Sequence, residues 1–148
     1  LNFSRPGAEV VAQYYMFLRL GFAGYAAVQE AARDVATTLS ARIAELGPFD
    51  LLTHGDELPV FAFTTKPDVT AFDVFDVSRR LRERGWLVPA YTFPAHREDL
   101  SVLRVVIRNG FSHDLAALLL TDIERLLPEL GRQPGPLEGS GHAAGFHH

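Results

Sequence analysis

One arginine carries the strongest chemical signal in this sequence. In the run Leu100–Arg108, alternation puts Leu103, Val105 and Ile107 on one face of a strand and Val102, Arg104, Val106 and Arg108 on the other. Arg104 thus sits mid-strand between two valines. A guanidinium stays charged at any physiological pH, so burying it without a partner is expensive. Two readings stay open from the pattern: an internal Asp or Glu partner or an exposed sheet face, or a site for a carboxylate or phosphate ligand, which the planar fork suits. Ser4 precedes a helix start marked by Arg5-Pro6 and reads either as a cap or turn residue or as part of an anion site at the free helix N–H groups. The histidines (His54, His96, His113, His142, His147, His148) show no metal-ligand spacing on a helix. The sequence holds no cysteine, which removes thiolate ligands, a cysteine nucleophile and a disulfide framework. No glycine-rich phosphate loop, nucleophile elbow or pair of catalytic carboxylates is visible.

The elements that must position Arg104 can be read from periodicity. Residues 8–46 carry helical spacing throughout. Val10, Val11, Tyr14, Tyr15, Phe17 and Leu18 make the front half apolar nearly all round, and Val28, Ala31, Ala32, Val35, Leu39 and Ile43 stripe the back half. Gly21 and Gly24 lie between, so two helices end to end are expected, the first built for burial between two bodies. Gly47-Pro48 stops the second. Strands follow at Phe49–Thr53 and Leu58–Thr65 around the polar turn His54–Glu57. Thr70 is the expected cap of a helix running to about Arg84, with Val74, Val77, Ser78 and Leu81 inward. Its basic end, Arg79–Arg84, reads as a solvated face complementing the helix dipole. Strands at Trp86–Phe93 and Ser101–Arg108 precede a last helix capped by Ser112, with Pro128 in its final turn. The order helix-helix-strand-strand-helix-strand-strand-helix, with short turns, predicts an α+β layer: an antiparallel sheet with helices on one face. The divisions expected are a helical segment over 1–46, a small α+β domain over 47–130 and a mobile Gly- and Pro-rich tail over 131–148.

Composition limits the partners. The chain has 148 residues, 47% apolar and 22% charged, and a formal net charge of −4, which argues for one folded domain and against broad nucleic-acid binding. No apolar run approaches the roughly 20 residues that span a bilayer, and the N-terminus has no signal-peptide layout, so a cytoplasmic location is expected. Thirteen of the fourteen basic residues are arginine, Lys66 being the sole lysine, and the chain opens on Leu1 rather than Met.

Three blocks carry a family resemblance: the opening LNFSRPGAEVVAQYYMFLRLGFAGY, the middle LRERGWLVPAYTFP, and LSVLRVVIRNGFSHDLAALLLTDIERLL. They closely resemble the C-terminal part of glutamate decarboxylase, from Leu1 to about Leu130. That family uses pyridoxal phosphate to convert glutamate to γ-aminobutyrate and carbon dioxide. The resemblance implies the small C-terminal domain of the aspartate-aminotransferase-like fold, preceded by long linking helices. It implies that Ser4 reaches the cofactor phosphate across a subunit interface with Phe3 beside it. It also implies that Arg104 binds a substrate carboxylate, read as the α-carboxylate that is lost. The ending Phe146-His147-His148 resembles a tail that folds over the active site as pH rises, with His148 matching its distal histidine and His147 beside it. Here His148 is the last residue, where the bacterial pattern has one more.

The family holds its cofactor as an imine on a lysine that follows a histidine, and the cofactor ring is the electron sink after carbon dioxide leaves. Lys66 lies in a Thr-Thr-Lys-Pro turn and does not match. The chain is therefore expected to be a segment of a homodimeric or larger enzyme acting on L-glutamate, without a large domain of its own and inactive alone. The alternative is a free-standing α+β module that binds an acidic metabolite through Arg104.

Overall fold

The computed structural model describes residues 6–132. Phe3, Ser4, His147 and His148, and almost all of the expected tail, lie outside the described residues. The described chain runs α1 (Ala8–Glu45), β1 (Phe49–His54), β2 (Val60–Thr65), α2 (Val74–Glu83), β3 (Ala90–Thr92), β4 (Ser101–Val106) and α3 (His113–Leu130). The expected α+β architecture is the observed one.

Helix α1 is a single helical run interrupted at Gly21, whose φ of 56° and ψ of −170° suit glycine alone. The break expected between the two halves thus falls at Gly21. The halves differ sharply in environment. Beyond the break, Ala32, Val35, Ala36, Leu39 and Ile43 are buried in the core. Before it, Val10, Val11, Tyr14, Tyr15, Phe17 and Leu18 are exposed, and Phe22 beside it is 92% exposed.

The four strands form one sheet in the order β1-β2-β4-β3, every neighbouring pair antiparallel. A bulge between Leu51 and Thr53 shifts the β1–β2 register by one residue. Phe49, Phe61, Phe63, Leu103 and Val105 project from one face and pack against Val35, Leu39 and Ile43 of α1, Val77 and Leu81 of α2, and Leu119, Ile123 and Leu126 of α3. Phe49 meets Phe63 edge-on, ring centroids 5.1 Å apart. Each such phenylalanine removed from water stabilises the fold by about 1.5–3 kcal/mol before entropy is counted. The hairpin tip docks on α1 as well. Gly55 is buried with a φ of +84°, and a Cβ there would stand 2.8 Å from that of Ala36. The Ser40 hydroxyl donates to the His54 carbonyl at 2.7 Å.

Two expectations need correction. The cap of α2 is Asp73, not Thr70. The Asp73 carboxylate accepts from the N–H groups of Phe75 (2.8 Å) and Asp76 (2.9 Å), while the Asp76 carboxylate accepts from the Asp73 N–H at 3.2 Å. A reciprocal pair of this kind outcompetes one upstream hydroxyl. The strand expected over Trp86–Phe93 shrinks to Ala90–Thr92, because the chain before it is occupied in leaving α2. Gly85 takes a φ of 90°, and the Trp86 N–H bonds to the Leu81 carbonyl at 3.0 Å.

That exit is fastened to α3 through Asp122. Its carboxylate accepts from the Trp86 indole N–H at 2.7 Å and pairs with the Arg84 guanidinium at 2.6 Å. The Trp86 hydrogen bond holds the Asp122 carboxyl below its ordinary value of 3.8, helped by Arg84 and opposed by partial burial. A carboxyl lowered in the fold contributes stability above its unfolded pKa, and that contribution is lost as pH falls through the folded value. Asp122→Ala is expected to lower unfolding stability by about 1–3 kcal/mol near neutrality, with the gap to wild type narrowing below about pH 3. Urea denaturation of both proteins at the two pH values checks this, and an unchanged gap would contradict it.

Candidate functional site

The sheet has a second face, and the helices do not cover it. Alternation and register assign it Val60, Ala62 and Thr64 from β2, Val102, Arg104 and Val106 from β4, and Tyr91 from β3. The row Val102, Arg104, Val106 read from the sequence is therefore the row the structure has. Arg104 stands opposite Ala62 in the register and is exposed, and its backbone N–H is held by the Pro89 carbonyl at 3.1 Å.

The surroundings of the Arg104 guanidinium decide between the readings left open above. Among the described residues, Arg42, Arg79, Arg80, Arg84, Arg97 and Arg125 each have a carboxylate within ion-pairing distance. Arg104 has none. Its contact is with an aromatic ring: the guanidinium carbon lies 5.5 Å from the centroid of Tyr91. The Tyr91 ring stacks in turn on Phe93, nearly parallel at 9° with centroids 6.3 Å apart. The internal acidic partner is absent among these residues. What remains is a permanent cation on an open sheet face, its N–H donors free for a ligand.

A cleft of about 210 Å³ borders Arg104 where β3 pairing gives out, between the 86–89 segment and the end of β4, with Phe111 at its side. A larger hollow of about 500 Å³ separates α1 from the 108–113 turn. It takes in Arg108 and the Asp34–His113 pair (2.9 Å) but not Arg104.

The described residues do not fit a pyridoxal phosphate by themselves. Lys66 follows β2 four residues beyond Ala62, the register partner of Arg104. At strand rise that is roughly 13 Å along the chain, and none of the clefts above includes its side chain. Ser4 and Phe3, expected at the cofactor phosphate, lie outside the described residues. No three His, Asp or Glu side chains among the described residues gather as metal ligands would. None of their helices is long and apolar enough to cross a membrane.

The fold is one shared by decarboxylases and related lyases. A solved sphingosine-1-phosphate lyase from Burkholderia pseudomallei superposes with a TM-score of 0.69 over 86% of this chain and 27% of its own. At 23% identity that likeness concerns fold alone. A solved glutamate decarboxylase from Lactobacillus brevis superposes with a TM-score of 0.85 at 33% identity, over 90% of this chain and 31% of its own. In sequence, the glutamate decarboxylase of Solanum lycopersicum is 46% identical over 134 residues, which is 90% of this chain and 26% of that protein. No family model matches. The resemblance to glutamate decarboxylase read from the three sequence blocks is upheld, and the chain spans about a quarter of the length of the curated relative.

Tyr91 was not picked out by sequence reasoning. The only signal available was its odd position in the same strand as Phe93; its closeness to Arg104 depends on how β3 registers against β4. With no ion pair inside the described fold and an exposed side chain, Arg104 contributes little to stability. Arg104→Met is expected to stay within about 0.5 kcal/mol of wild type. Thermal unfolding of the two proteins tests this, and a loss several times larger would show that Arg104 is structural.

Proposed function

We propose that this chain is the C-terminal portion of a glutamate decarboxylase, converting L-glutamate to 4-aminobutyrate and carbon dioxide, and that Arg104 binds a carboxylate of the substrate. The carrying observation is the Arg104 guanidinium, charged, exposed and without a carboxylate partner among the described residues, on the face the helices leave open. A guanidinium so placed meets a carboxylate edge-on through two parallel N–H bonds, which fix both position and orientation. For the α-carboxylate, orientation has chemical weight. The bond to be broken must be held in one direction, and a two-point grip does that better than a point charge.

The rest of the chemistry would come from outside the described residues. Pyridoxal phosphate, in the complete enzyme, would supply the electron sink for the carbanion left behind. Its lysine would sit on a body against which the front half of α1 packs. The exposed Tyr14, Tyr15, Phe17, Leu18 and Phe22 support that reading, because an apolar stretch of this extent is uncommon on a free surface. Ser4 and Phe3 would meet the cofactor phosphate of a second subunit in a homo-oligomer. The His147-His148 ending would be the pH-responsive tail, and this chain alone would not turn over glutamate.

In the complete enzyme, Arg104→Ala is expected to lower kcat/KM for L-glutamate by at least about a hundredfold, from the loss of a charge-assisted bidentate contact. Pyridoxal phosphate should stay bound, as its absorbance would report. Near-normal turnover in the variant would refute the role.

A further inference from the structure

We propose that Tyr91 is a positioning residue for Arg104: its ring face holds the guanidinium so that the N–H edge is presented to the substrate carboxylate. The inference rests on the reading of Arg104 given above and adds the residue that aims it. An arginine side chain is long, and one standing on an exposed strand without an ion pair has many rotamers open to it. The contact at 5.5 Å to the Tyr91 centroid selects among them.

Geometry makes this contact compatible with ligand binding. A cation–π contact uses the flat face of the guanidinium, while its N–H donors point outward in the plane. Tyr91 can therefore hold the group and leave the fork open. An Asp or Glu in place of Tyr91 would act in the opposite way, closing the fork with an internal ion pair.

The platform is itself fixed. Phe93 backs the Tyr91 ring at 6.3 Å, and Tyr91 stands opposite Val102 in the β3–β4 register. The Thr92 and Ser101 hydroxyls bond at 3.1 Å, and the Phe93 N–H reaches the Leu100 carbonyl at 2.8 Å. The aromatic pair and the arginine it aims are thus carried on hydrogen-bonded neighbouring strands.

The test measures binding of glutarate, an unreactive dicarboxylate, to the complete enzyme by calorimetry, alongside thermal midpoint and pyridoxal phosphate affinity. Tyr91→Phe keeps the ring face and is expected to stay within about twofold of wild type. Tyr91→Leu removes it and is expected to weaken glutarate binding about five- to thirtyfold, with midpoint and cofactor affinity unchanged. Tyr91→Val, which suits a strand, makes the same comparison should the leucine variant not fold. The proposal falls if the ringless variants bind glutarate as wild type does, if Tyr91→Phe is as damaging as Tyr91→Leu, or if cofactor affinity and midpoint fall in step with glutarate affinity. Arg104→Met separates the two claims. If it weakens glutarate binding while Tyr91→Leu does not, only the role of Tyr91 fails; if it changes nothing, the reading of Arg104 fails and takes this inference with it.

Discussion

An antiparallel sheet covered by helices on one side only is the constraint from which the other features follow. Phe61, Phe63, Leu103 and Val105 must face the helices, because burial of those rings and branched chains is the main stabilising contribution available to a domain of this size. Strict alternation then sends Ala62, Arg104 and Val106 to the opposite face whatever their chemistry. A charge in the middle of β4 is tolerable because that face is open to water at Arg104. The same one-sidedness that builds the core therefore creates a surface where a guanidinium stands without an internal counter-charge.

Two further features distinguish this surface from an ordinary solvated sheet. The arginines of α2 are drawn into ion pairs with Asp76, Glu83, Asp122 and Glu129, which ties that helix to itself and to α3. Arg104 is held by an aromatic face instead, which restrains it and leaves its donors unpaired. The front of α1 is likewise unfinished: beyond Gly21 the helix is core, and before it a run of tyrosines, phenylalanine and aliphatic residues faces outward. A cation waiting for an anion and an apolar helix waiting for a body are what a segment of a larger active site would show.

Much of this was legible in the amino-acid order, for local reasons. Period-two alternation placed Arg104 on the face away from Leu103 and Val105, and two glycines at the change in helical pattern marked the break in α1. The motif blocks around Ser4, Trp86 and Arg104 pointed to glutamate decarboxylase. What could not be read depended on contacts distant in sequence. Asp73 and Asp76 form a reciprocal cap that reads no more strongly than Thr70 until the chain closes on it. The shortness of β3 follows from the Trp86 backbone bonding to Leu81 and its indole to Asp122, thirty-six residues away. Tyr91 comes under Arg104 only through the β3–β4 register.

The central claim is that the Arg104 fork is free for a substrate carboxylate. The most direct measurement is a crystal structure of the complete enzyme with glutarate bound. The account predicts two N–H···O contacts of about 2.7–2.9 Å between Arg104 and one carboxylate, with the guanidinium still over Tyr91. Glutarate bound away from Arg104, or an Asp or Glu from elsewhere in the enzyme closing the Arg104 fork, would contradict it.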